Sequence, residues 1–279
     1  MDVIIVCHTE YGDVRNKKVI FTKNPIGVID GVKNLDMIAK KYGAKVTYAI
    51  CPETVTDFPK KLDCEVALHI HPGWEKFSTD GYQYHVGDIY LKNNCEQSSY
   101  STVLRDYSYG EQFLMIREGK KHIIKTLGVV PQTFLAGRWS INNDTVKAMI
   151  GNGMNRDCSA MAGQKASHFD WSKLPRICLP YYPSEYDYQI AGNQPLLIIP
   201  ISQLIKGGSV NPEVARTYGV DWLKLGFLEY YLRKVPLFHI CLHSPCMIDK
   251  YYVGVMDSLL RYIVKHKNIN FKYVAEIDY

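Results

Sequence analysis

Ten residues decide how this chain is read: Glu65-Val66-Ala67-Leu68-His69-Ile70-His71-Pro72-Gly73-Trp74. A short apolar run, Val66 to Leu68, is stopped by Pro72-Gly73, which predicts a buried strand passing into a loop. Side chains alternate faces along a strand, so His69 and His71 project to one side where the strand ends. Two imidazoles there make half of a divalent-metal site, most naturally a zinc site. Taken alone, the pair would equally serve as surface or hydrogen-bonded histidines.

A second segment has the same design. Val3-Ile4-Ile5-Val6-Cys7 runs into His8-Thr9-Glu10, again two ligand-type side chains on one face just past a buried strand. A third is Pro236-Leu237-Phe238-His239-Ile240-Cys241-Leu242-His243. Parallel α/β sheets and barrels gather their sites at the carboxyl ends of strands, where these three segments would converge. His239 shares the face of His243 and reads as a packed core histidine.

Between these segments the pattern alternates. Helical periodicity covers 31–43, 111–127 (with Gly128 as its stop), 142–152, 221–234 and 250–267. Strand-like runs cover 45–50, 132–136, part of 153–159 ending at Asp157, 196–201 and 271–274. Parallel strands need crossover connections, and seven or eight β/α units predict an α/β barrel formed by residues 1–279 as one domain. Two long aromatic connections interrupt the rhythm, at about 72–110 and 163–195. The first, carrying Trp74, reads as a lid or substrate wall; the aromatics of the second would stack on a sugar ring or pack among themselves.

Of 279 residues 47% are hydrophobic, enough for a full core. Lys and Arg total 33 against 28 Asp and Glu, a net charge of +5 with no long basic run, which argues against a nucleic-acid partner. That mild positive balance suits an anionic substrate such as a nucleotide sugar. Eight cysteines without a Cys-x-x-Cys pair read as reduced thiols. With no basic leader before the first strand and no membrane-length apolar run, the expected location is the cytoplasm, without membrane insertion. The oligomeric state has no signature.

In order and spacing, these segments resemble the polysaccharide deacetylases, the NodB-homology carbohydrate esterases, and among them the cytoplasmic branch linked to O-antigen biosynthesis. The resemblance runs through five short blocks over nearly the whole chain. It implies a distorted, TIM-like (β/α)7 barrel and a divalent metal, usually zinc. Glu10 matches the ligand of the first block, while His8 stands where relatives carry the catalytic base. His69 matches the first histidine ligand, and geometry adds His71 as the second. In Phe134-Leu135-Ala136-Gly137-Arg138-Trp139 the position of a base-orienting arginine is held by Leu135, leaving Arg138 as a substitute and Trp139 to line the pocket or fill the barrel mouth. Asp157 resembles the residue that tunes the general acid, and His243 in Leu242-His243-Ser244-Pro245 the acid itself.

The activity implied is hydrolysis of an N-acetyl group on a sugar, with metal-activated water attacking the carbonyl and His243 protonating the departing amine. His8 is open to three readings: a base, a fourth ligand, or a mark of lost activity. Asp13 is another candidate base. The alternatives are a different metallohydrolase of amide or C–N bonds, and a non-catalytic relative that binds carbohydrate.

Overall fold

The computed structural model describes residues 1–72 and 101–279, together with the backbone of a small hairpin, Trp74–Lys76 against Gln83–His85. The architecture is a curled parallel sheet with helices outside it. Its strands are β1 (Asp2–Thr9), β2 (Val46–Ile50), β3 (Glu65–Ile70), β4 (Thr133–Ala136), β5 (Arg156–Asp157), β6 (Leu197–Ile198) and β7 (Leu237–His243). Their order is β6-β5-β4-β3-β2-β1-β7, and a short β8 (Asn270–Phe271) also pairs β1. The last long strand thus lies beside the first, as a (β/α)7 barrel requires. Between β6 and β7 an irregular segment closes the wall: Ser202 N–H donates to His239 O at 3.2 Å, and Cys241 N–H to Val210 O at 3.0 Å.

Strand alternation separates two apolar layers. Inside the barrel lie Ile4, Val6, Ala49, Ala67, Leu135, Leu197 and Leu237. Outside, Val3, Ile5, Cys7, Phe134 and Phe238 meet the helices α1 (Ile26–Lys41), α2 (Tyr109–Leu127), α3 (Asn143–Gly151), α4 (Val220–Leu232) and α5 (Lys250–Ile263). The helix boundaries follow local chemistry. Ser108 and Glu111 form a capping box ahead of α2, and Gly128 ends it in the left-handed region that glycine adopts without strain. Asn142 and Thr145 do the same at the start of α3.

The two long connections fare differently. Most of 72–110, including the side chain of Trp74, lies outside the described residues. In 163–195, Trp171 is fully buried and its indole N–H donates to Trp139 O at 3.0 Å, while Tyr181 and Tyr188 hydrogen-bond backbone carbonyls. Packing therefore claims these three rings, and Tyr186 stays exposed. No described helix is long and apolar enough to cross a membrane.

Candidate active site

Register lines up the first donors. Thr9 pairs Ile50 and Ile50 pairs Leu68, so one residue further on Glu10, Cys51 and His69 stand side by side at the tops of β1, β2 and β3. The ladder reaches that level, since Cys51 N–H donates to Thr9 O at 3.4 Å. Ala49 and Ala67 face the barrel interior, and the period of two turns Cys51 and His69 inward as well. One ligand atom from each of Glu10, Cys51 and His69 lies within 4.8 Å of the other two, and all three residues are buried.

His69 is held in a defined orientation: Nδ1 donates to the Leu135 carbonyl at 2.9 Å, which turns Nε2 toward Glu10 Oε1 at 3.2 Å. Two atoms bearing lone pairs this close need a positive charge between them, either a proton or a cation. Donors about 2.0–2.1 Å from a tetrahedral ion stand roughly 3.3 Å apart. A carboxylate, an imidazole with its second nitrogen engaged by a carbonyl, and a thiol are all zinc ligands, so these residues fit the divalent metal expected from the sequence. Burial opposes the charge on Glu10, but its hydrogen bond and attraction to His69, with His243 and His71, outweigh it and hold the carboxyl far below the usual range.

His71 lies outside that close group. Its ring centroid is 6.1 Å from that of His69, and the ring rests on Gly137, where an added Cβ would come within 2.5 Å of it. Burial brings its pKa down to about 3, against a smaller upward pull from Glu10.

One layer below, His8 on β1 is the register partner of His243 on β7, their ring centroids 4.6 Å apart. His8 also meets the rings of His69 at 5.0 Å and Trp139 at 5.9 Å, edge to face. Its Nε2 is buried and has no hydrogen-bond partner among the described residues. Burial first, then His243 and His69, push its pKa well down, so His8 is a neutral imidazole.

The partner of His243 corrects the sequence reading. Asp157 faces away from the barrel interior: its register partner Phe134 packs in the outer layer, and strand parity carries Asp157 there too. It accepts from Ser159 Oγ at 2.5 Å and Ser159 N at 3.2 Å. The residue at His243 is Glu213, whose Oε1 lies 2.7 Å from Nδ1. His243 Nε2 is 4.0 Å from Glu10 Oε2. Burial lowers the His243 pKa, yet the Glu213 charge and hydrogen bond, with Glu10, lift it to about 9. His243 accordingly keeps a proton at neutral pH, directed toward the donors.

This arrangement is fixed by close packing. Ser244 Oγ accepts from Glu10 N–H at 3.2 Å and donates to Glu10 O at 3.3 Å. A Cβ at Gly31 of α1 would lie 2.1 Å from Ser244 O, and one at Gly27 2.8 Å from Pro245 Cγ, so only glycine lets the helix approach this turn. Arg138 and Trp139 both hold left-handed backbone, at φ 55° and 54°, a strained conformation often found at functional sites. Arg138 is partly buried, which lowers its pKa, while the nearby Glu10 charge raises it. The buried Trp139 Nε1 has no hydrogen-bond partner among the described residues.

Sequence reasoning missed two members of the site. Cys51 carries a signal, the period of two continuing from Ala49, but by sequence reads only as one of eight reduced thiols. Glu213 carried none: it sits in the short turn Pro212–Val214, capped by Asn211, away from any strand end.

No family model and no curated protein matches the sequence. Solved structures do match in fold. The allantoinase Puue aligns with a TM-score of 0.64 at 13% identity, over 99% of this chain and 88% of its own. A Mycobacterium smegmatis protein, provisionally named a polysaccharide deacetylase, aligns at 0.60 and 15% identity, over 98% and 88%. A CE4 family pseudoenzyme from Bacillus anthracis aligns at 0.50 and 13% identity, over 98% of this chain and 64% of that one. The fold is thus shared with deacetylases, an allantoinase and a pseudoenzyme.

Proposed function

We propose that this chain is a metal-dependent hydrolase that removes an N-acetyl or related acyl group from a sugar. The substrate class is a small or nucleotide-linked sugar of surface-polysaccharide assembly, O-antigen included, handled in the cytoplasm. The observation that carries the reading is the meeting of Glu10 and His69 with a carboxylate-bound His243 at one mouth of the barrel. The sequence blocks and the shared fold support it.

Glu10 and His69 would hold the metal, zinc by donor type. When bound, that metal supplies Lewis acidity, bringing the pKa of water toward neutrality and polarising a carbonyl. His243 then delivers its Nε2 proton to the departing amine nitrogen, and Glu213 keeps Nδ1 engaged so that Nε2 faces the reacting group. His8, neutral and buried beside His243, takes the proton from water in place of the carboxylate base. Trp139 offers an aromatic edge at the pocket, and Arg138 contributes positive charge near Glu10; His71 belongs to the surrounding wall.

The test is acetate release from a panel of N-acetylated nucleotide sugars by metal-loaded protein. We expect release that stops when a chelator removes the metal. Release of ammonia or another amine without acetate would move the reading to a different amide or C–N hydrolase. A second reading, a carbohydrate-binding barrel without turnover, is favoured by one observation: His8 in the place of the carboxylate. Bound metal with no hydrolysis of any amide would establish it.

A further inference from the structure

The metal reading above names two donors and needs a third. We infer that Cys51, as a thiolate, is a ligand of the same cation as Glu10 and His69, giving a carboxylate–imidazole–thiolate centre selective for zinc-type ions over magnesium or manganese.

Three observations converge on Cys51. Adjacent strands bring it into one layer with Glu10 and His69, and its sulfur belongs to the buried group of donors within 4.8 Å. Its backbone is committed on both sides: N–H donates to Thr9 O, and its carbonyl accepts from Thr54 N at 2.9 Å and Thr54 Oγ1 at 2.9 Å. The start of the chain's turn into Pro52–Thr54 thereby fixes where the side chain points. The surroundings then separate Cys51 from an ordinary buried thiol. Cys7, Cys158, Cys241 and Cys246 each belong to an apolar cluster of the core, whereas Cys51, equally buried, belongs to neither cluster. It stands among charged and metal-ligating side chains.

The chemistry follows from charge. A divalent ion between Glu10 and a Cys51 thiolate is neutralised by two anions, which a buried site favours over an uncompensated charge. The thiol gives up its proton as the sulfur–metal bond forms, so loading releases a proton to solvent. Thiolate binds borderline-soft ions well and hard, oxygen-seeking ions poorly.

The experiment uses the full chain, stripped with chelator and reloaded with cobalt(II) or zinc. Cobalt-loaded protein should show a near-ultraviolet sulfur-to-cobalt charge-transfer band that is lost in Cys51→Ser and kept in His71→Ala. Zinc binding should weaken at least tenfold in Cys51→Ser. X-ray absorption on zinc-loaded wild type needs no variant, and should show one sulfur neighbour at about 2.3 Å. Bound zinc with only nitrogen and oxygen neighbours, or a charge-transfer band that survives Cys51→Ser, would overturn the inference while leaving the hydrolase reading intact. Failure of the wild type to bind either ion would overturn both.

Discussion

The same barrel interior ends in two kinds of polar cluster. At the lower mouth Glu65 accepts from Thr47 Oγ1 at 2.7 Å, Thr133 Oγ1 at 2.6 Å and Ala275 N–H at 3.0 Å. Thr47 in turn accepts from Val274 N–H at 3.1 Å, tying the C-terminal segment across the base. Here the carboxylate has found its donors. Four residues further along β3, His69 Nε2 stands 3.2 Å from Glu10 Oε1, an approach that needs a proton or a cation between them, and the neighbouring His8 Nε2 lies buried without a donor among the described residues. The contrast shows how one strand divides its labour. The polar groups bonded at the base hold the barrel together, and those gathered at the upper mouth are placed for chemistry.

The sharpest way to break that contrast is to exchange effects between the two mouths. His243→Ala should cost about 10²–10⁴ in turnover, roughly 3–5 kcal/mol of barrier, with metal content unchanged. A stability loss with activity retained would put His243 on the structural side. Glu65→Ala should do the opposite, losing about 2–4 kcal/mol in urea unfolding through its stranded partners while zinc affinity holds. Gly137→Ala should act on both mouths' terms at once, because the new methyl drives into the His71 ring; about 1–3 kcal/mol of stability is expected to go. An unchanged unfolding midpoint would show that the ring moves aside freely.

A pH effect singles out Asp157, on the outer side of the sheet. Burial raises its pKa from 3.8 to about 7, against the smaller opposing pull of its Ser159 hydrogen bonds. Between those values the unfolded carboxyl has lost its proton and the folded one keeps it. Its contribution is therefore complete below about pH 3.8 and is lost as pH rises through about 7, with a slope of up to about 1.4 kcal/mol per unit. Asp157→Asn should flatten that slope in unfolding measured across the window. A slope identical to wild type would remove the buried acid from the account.

What was legible in the sequence follows periodicity. The alternation along β1, β3 and β7 points to the barrel and brings Glu10, His69, His8 and His243 to one mouth. The same alternation, applied to the two-residue β5, would have turned Asp157 outward; block resemblance placed it at the acid instead. Glu213 reaches His243 from an irregular segment that closes the wall between β6 and β7, and no repeat of residues predicts where such a segment passes. His71 was placed by extending strand geometry past Ile70, where β3 has already ended. Parity no longer governs a side chain there, and the ring settles on Gly137.

The position of β7 beside β1 has a consequence for synthesis. While the ribosome is still making the middle of the chain, β1 presents a bare edge of unpaired backbone, the kind that recruits foreign strands. The segment that finally covers that edge is the one bearing His243. Sealing the newborn barrel and delivering its proton donor are therefore one event, and a chain stopped short of residue 237 lacks both.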